Sequence, residues 1–379
     1  MNGVPAAGMP SRLELRLEAS IREAIDPVEA DVLRGELAAL YAREGRLAEA
    51  REALASLKER HGAQPHAATA ASIGFASALV DYYSDLDVEV RGKLQQARAL
   101  AASAGRRPLQ ALCAAWLALL DFVHNDAPAL GRDLVLAFTL AAPDHHAARS
   151  RASMAAAMAY HHAGRFDLAQ PWYARARRHA TEEGDTATIS ALMHNMAALR
   201  ASQAAQAAVL GPRARESDAD TLYALIGAQS SGYFDDGIGR TALPVLHGVL
   251  RAQMFALQDR PREALAIYHA HLDAALAQGL ERAECALRAD MAWCHAQLGQ
   301  QGLALAQARQ AIAALRPHCD IDDVALTHGR LAAMHALLGD EAQARRHGQQ
   351  AQAHWQRHVA AQAQVLEVLD EALAGLAVP

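Results

Sequence analysis

Aromatic residues are scarce in this sequence, at 5%, and no stretch alternates Val, Ile, Thr and aromatic residues with polar ones. Strands are written in such stretches, so a β architecture is excluded. Cysteine is scarce too: Cys113, Cys285, Cys294 and Cys319 lie far apart and form no C-x-x-C pair. That spacing suits neither a thiolate metal knuckle nor a disulfide framework, and it predicts reduced thiols in a cytoplasmic protein. The longest apolar stretch, 111–120, is about half a bilayer crossing, so no membrane partner is expected. Residues 1–10 lack a charged segment followed by an apolar core, so no signal peptide is expected there, and the segment is read as disordered. Net charge is −6 and the chain has no concentrated basic face, so nucleic acid is not expected as a partner. Catalytic motifs are missing as well. There is no G-x-x-x-x-G-K-[ST], no H-E-x-x-H and no G-x-S-x-G, and Gly237-Ile238-Gly239 has neither a third glycine nor a preceding strand. The expectation is a protein that is not an enzyme and that carries no cofactor and no metal.

What the sequence has is alanine, with leucine, arginine, glutamine and glutamate, a composition that favours helix. It also repeats. The turn Gly45-Arg46-Leu47-Ala48-Glu49-Ala50 returns as Gly164-Arg165-Phe166-Asp167-Leu168-Ala169, at 299–304 and at 339–344. Asp259-Arg260-Pro261-Arg262-Glu263-Ala264 has the same spacing with Asp in the glycine position. Leu37, Ala38 and Tyr41 precede the first turn, and Leu54 and Leu57 follow Ala50. Ala156, Ala157 and Tyr160 precede the second, and Tyr173 and Ala176 follow Ala169. The strong turns at 259, 299 and 339 are 40 residues apart, and weaker turns near Asp85, Asp126 and Gln203 extend the same step.

These residues resemble the tetratricopeptide signature, in which a small residue and an aromatic on one helix meet an alanine and an aromatic on the next. The 40-residue step is similar to the arrays of maltose-regulator-type activators and of arrays that precede some bacterial diguanylate cyclase domains. The resemblance implies an all-α, right-handed α-solenoid of about eight helix pairs, because no pair buries its apolar face alone. It implies a bacterial interaction or signal-transduction protein, a setting that also suits the Ala and Arg richness.

Between Gln203 and Asp259 the rhythm carries about 16 surplus residues, with Gly211-Pro212 ending a helix and a loop-like stretch at 230–239. The organisation read from this is an N-terminal block at 11–208, an insert or hinge at 209–240 and a C-terminal block at 241–379. Tyr233 and Phe234 in the insert are expected to seek a surface to bury against. From Glu341 onward Ala351, Trp355, Val359, Leu366, Leu369, Leu373 and Leu376 recur at helical spacing, which predicts a long capping helix that also offers a homodimer seam.

By the same resemblance the first helix of each pair lines a concave groove. Its candidate residues are Arg151, Met154, Met158, His161, His162, Asn195, Arg200, Trp293 and Gln297. Asn195 and Arg200 suit a peptide backbone or carboxylate, and methionines suit an adaptable apolar lining. His161 and His162 are placed to meet an acidic ligand. The basic stretch Arg175, Arg177, Arg178, His179, followed by Glu182 and Glu183, reads as a solvated helix end. His354 and His358 read as packing or solvated histidines, and Asp322 or Asp323 as the cap of a helix beginning near Val324. The expected function is non-catalytic binding of a protein or peptide partner in the groove. The alternative is a small-molecule or peptide sensor module whose output domain is absent.

Overall fold

The computed structural model describes residues 10–62, 65–84, 89–211, 226–227, 229–231, 235 and 244–376. Tyr233 and Phe234 lie outside the described residues, as does the 85–88 segment that holds the turn expected near Asp85. Among the described residues all regular structure is helical and there is no strand. In chain order the helices are α1 (Arg12–Glu23), α2 (Pro27–Arg43), α3 (Leu47–His61), α4 (Ala67–Ser84), α5 (Val90–Ser103), α6 (Arg107–Val123), α7 (Ala127–Leu140), α8 (His146–His162), α9 (Phe166–Glu183) and α10 (Thr186–Leu210). Then come α11 (Pro244–Leu257), α12 (Pro261–Ala277), a short 3-10 turn (Leu280–Ala283), α13 (Glu284–Gln297), α14 (Gln301–Ala313), α15 (Ile321–Leu337) and α16 (Glu341–Ala374).

The repeated turns share one backbone device. The N–H of residue 46 donates to the carbonyl of Tyr41, that of Arg165 to Tyr160, Arg260 to Phe255, Gln300 to His295 and Asp340 to His335, each at 2.9–3.0 Å. This six-residue ring needs a left-handed residue just before its last member. Gly45, Gly164, Gly299 and Gly339 supply it, and Asp259 adopts it at φ 54°. Asn125 does the same at φ 57°, with Asp126 N-capping α7, so the turn expected near Asp126 is present. The alanine five residues on (Ala50, Ala169, Ala264, Ala304) is fully buried, where a larger side chain would hold the paired helices apart.

Two expectations fail. Gln203 lies inside α10, which runs unbroken to Leu210. No glycine or proline interrupts residues 186–210, so the alanine-rich helix continues until Gly211-Pro212. The helix expected from Val324 begins at Ile321 with Asp320 as its N-cap residue, which moves Asp322 into the first turn, where it accepts from Gln206.

The chain divides into two compact units: residues 1–192, 235–242 and 364–379 form unit 1, and residues 193–234 and 243–363 form unit 2. In unit 1 each helix packs with the next, and the first helices of successive pairs, α2, α4, α6 and α8, also pack side by side. The approach is close at Gly35, where an added Cβ would lie 2.1 Å from Ser72 Oγ, and Ser72 donates to the Val32 carbonyl forty residues earlier. The last turns of α16 belong to this unit: Tyr160 donates to Asp370 at 3.1 Å, and Gly131 faces Val368. In unit 2, α11, α13 and α15 form the corresponding row, α11 and α13 packed with their pair partners and α15 joined to α16 at His328 and His347. Its core joins Tyr268, Leu272, Leu287 and Met291, and a second cluster of alanines surrounds Leu331 and Met334. Ala351, Leu369 and Leu373 of the α16 stripe are buried within the chain, whereas Val359 is exposed.

Candidate functional site

The row of first helices in unit 1 assembles a charged and aromatic cluster. α2 brings Arg43, α4 brings Tyr82 and Tyr83, α6 brings Trp116 and α8 brings Arg151. The bend between α9 and α10 adds Asp185, and the first turn of α10 adds Thr188. The Arg151 guanidinium lies 3.9 Å over the Trp116 ring, and both tyrosines meet that ring edge-on. Arg43 pairs with Asp185. Both guanidiniums donate to the Thr188 hydroxyl at 3.3 Å, and that hydroxyl donates to Asp185 at 2.8 Å. The other Asp185 oxygen accepts from the Thr188 N–H, which caps α10.

The electrostatics follow from burial. Burial works to raise the Asp185 pKa, but the Arg43 charge and the bonds from Thr188 overcome it and hold the carboxyl at about 2. Arg151 is 3% exposed, and burial, aided by repulsion from Arg43, lowers its pKa. Glu36, two turns before Arg43 on α2, is pushed up to about 7 by burial first and then by Glu183 and Glu29, so near neutral pH it is half protonated. Within the cluster two guanidiniums meet one firmly ionised carboxylate, and Glu44 and Glu36 also act on Arg43 from farther along α2 and its end. Arg151 provides a fixed positive charge behind a surface made by Arg43, Tyr82 and Tyr83, which are all partly exposed. Such an arrangement favours an anionic group and stacks planar or aliphatic groups against rings.

The residues expected to line a groove distribute as follows. Arg151, Met154, Met158, His161 and His162 are in unit 1; Asn195, Arg200, Trp293 and Gln297 are in unit 2. Arg151 is in the cluster just described. Met154 and Met158 are buried packing side chains. His161 is fully buried, with Nδ1 3.0 Å from the Tyr173 hydroxyl and its ring against Phe166. An open lining is therefore the wrong description of these three. A first helix has a neighbour on either side as well as its own partner, and helical spacing does not separate groove from packing. His162 is half-buried, edge-on to Phe122. Asn195, Arg200 and Trp293 are half-buried, Trp293 against the alanine cluster around Leu331. Gln297 donates to Asp259 at 2.8 Å and so braces two successive turns.

Arg43, Tyr82, Tyr83, Trp116, Asp185 and Thr188 escaped the sequence reading. The usable signal was the repeat itself: Tyr83 stands forty residues after Arg43, at the equivalent position ahead of its turn.

Unit 2 places different chemistry on its equivalent row. Arg330 Nε donates to Asp290 Oδ1 at 2.6 Å, and the Tyr268 hydroxyl donates to the other oxygen at 3.2 Å. Asp290 and Arg330 are forty residues apart and both buried. Beside them α15 and α16 stack His354 on His328 and His347 on His335, with His328 and His347 joined through Nδ1 atoms 2.9 Å apart. Burial, then His347, His354 and Arg346, depresses His328 to about 4.

No protein-family model matches this chain, and no curated protein matches its sequence.

Proposed function

We propose that the protein is a tetratricopeptide-like, right-handed helical solenoid, capped by α16, that binds a protein or peptide segment through the first-helix face of unit 1. The observation that carries this reading is the charge imbalance of the Arg43–Arg151–Asp185 cluster beside Tyr82, Tyr83 and Trp116. A cluster that served packing alone would gain by matching its guanidiniums with carboxylates, since an unmatched buried charge costs several kcal/mol. A surplus cation behind half-buried tyrosines suits a ligand that brings its own anion, such as a peptide carboxylate, laid across the rings. The forty-residue turn device supports the solenoid part of the reading, because each repeat then presents its first helix at the same place.

The test is binding of short peptides with a free C-terminal carboxylate, followed by fluorescence anisotropy, against the same peptides amidated at the C-terminus. The expected result is binding that weakens at least tenfold on amidation and again in Arg43→Gln, with circular dichroism unchanged. Equal binding of amidated and free peptides would remove the anion-recognition reading. Failure of a randomised peptide library to give any binder would remove the peptide reading altogether.

A further inference from the structure

The basic stretch near the end of α9 is not a solvated helix end throughout. Arg177 and Arg178 are exposed, but His179 is buried, at 6% exposure. His179 and Glu182 are three residues apart and share a face of α9, and that face meets the first residue of α8, His146. The three side chains converge. His146 Nδ1 lies 3.0 Å from His179 Nδ1 and 3.2 Å from Glu182 Oε2, and His179 Nδ1 lies 3.7 Å from the same oxygen. The two imidazole rings lie 5.3 Å apart, tilted by 38°.

Those separations have a chemical meaning. Around a tetrahedral zinc ion with bonds of roughly 2.0–2.1 Å, neighbouring donor atoms stand about 3.3 Å apart. The three observed separations straddle that value, so three donor atoms already lie on the sphere such an ion would centre. What sets this pair apart from the His328–His347 contact is the third donor, Glu182, within 3.7 Å of both nitrogens. His179 is buried while Glu182 is exposed, so the three donors reach from the interior to the surface. Arg178 opposes a cation, and the Glu182 carboxylate supplies the compensating charge.

We propose that His146, His179 and Glu182 form a binding site for a divalent transition-metal ion of the zinc class. Two imidazoles and one carboxylate suit borderline ions such as zinc or cobalt more than magnesium or calcium, which prefer all-oxygen sites. Three protein ligands leave a coordination position on the side where Glu182 is exposed, open to water or an exchangeable anion. The site lies entirely within unit 1 and does not depend on peptide binding.

The test is titration of the full chain with Zn²⁺ by calorimetry, and with Co²⁺ by visible absorption, at pH 7.5. The expected result is one tight equivalent, a tetrahedral-type cobalt spectrum, and a melting temperature raised by Zn²⁺. Glu182→Gln, on an exposed side chain, should weaken that first equivalent at least tenfold. His146→Ala should do the same, and His179→Ala should abolish it. His328→Ala, in the histidine stack of unit 2, should leave it intact. Unchanged affinity in both Glu182→Gln and His146→Ala would overturn the proposal, as would loss of the first equivalent in His328→Ala. Should His179→Ala unfold, the other two variants carry the test unaided.

Discussion

The two units apply one repeat to opposite electrostatic ends. In unit 2 one pair on the row of first helices is matched, Arg330 to Asp290 with Tyr268 on the remaining oxygen. In unit 1 the Arg43–Arg151 cluster holds two guanidiniums beside one firmly ionised carboxylate, with aromatic rings alongside, while elsewhere on the same helices Asp121 is matched by Arg91 and Asp31 by Arg34 and Arg60. A surplus cation leaves interaction energy in reserve for a partner. The comparison teaches that in a regular array function is better sought in departures from charge matching than in the repeating pattern.

The sharpest way to break this contrast is to remove the central arginine from each row. Arg330→Met strands the buried Asp290 carboxylate and should cost about 3 kcal/mol in urea denaturation. Arg151→Met removes the surplus charge and one ring contact, and should change stability by less than about 1 kcal/mol while it weakens ligand binding. If both variants lost equal stability, the distinction between matched and surplus charge would fail.

Between those extremes stands acid titration. Asp185 has its pKa depressed from 3.8 to about 2 in the folded state. Its contribution is therefore present above about pH 4 and is lost as pH falls toward 2, and the shift corresponds to about 2 kcal/mol. Urea midpoints at pH 7, 4 and 2.5 should show the wild type converging on Asp185→Asn across that interval. The histidines act at higher pH. His328 is held at about 4, and His335, His347 and His354 are also lowered, chiefly by burial. The unfolded chain takes up those protons first, so stability falls as pH drops from about 6.5 toward 4, with Asp340 beside His335 opposing the trend locally. Hydrogen exchange at pH 7 and pH 5 should show α15 and the adjoining turns of α16 loosening before α2 and α4, a smaller effect than either arginine contrast predicts for Arg330.

The turn at Asp259 is legible in the sequence, because its neighbours repeat those of Gly45 and Gly164. The groove residues were less so. Met154 and His161 carry the same spacing as true surface positions, yet they pack against neighbouring helices. The candidate metal ligands show the same limit. His179 and Glu182 stand in a basic stretch that reads as solvated, and the residue that changes this, His146, lies 33 positions earlier. No local pattern connects them.

The sequence alone determined the helical class, the forty-residue step and the turn device, since helix propensity and left-handed turn residues act over a few neighbouring positions. Only the tertiary structure decided that α10 runs through Gln203, that the last turns of α16 join unit 1, and which charges are matched. Those outcomes depend on which side chains meet across helices and how much water they exclude, quantities set by packing between residues far apart in the chain.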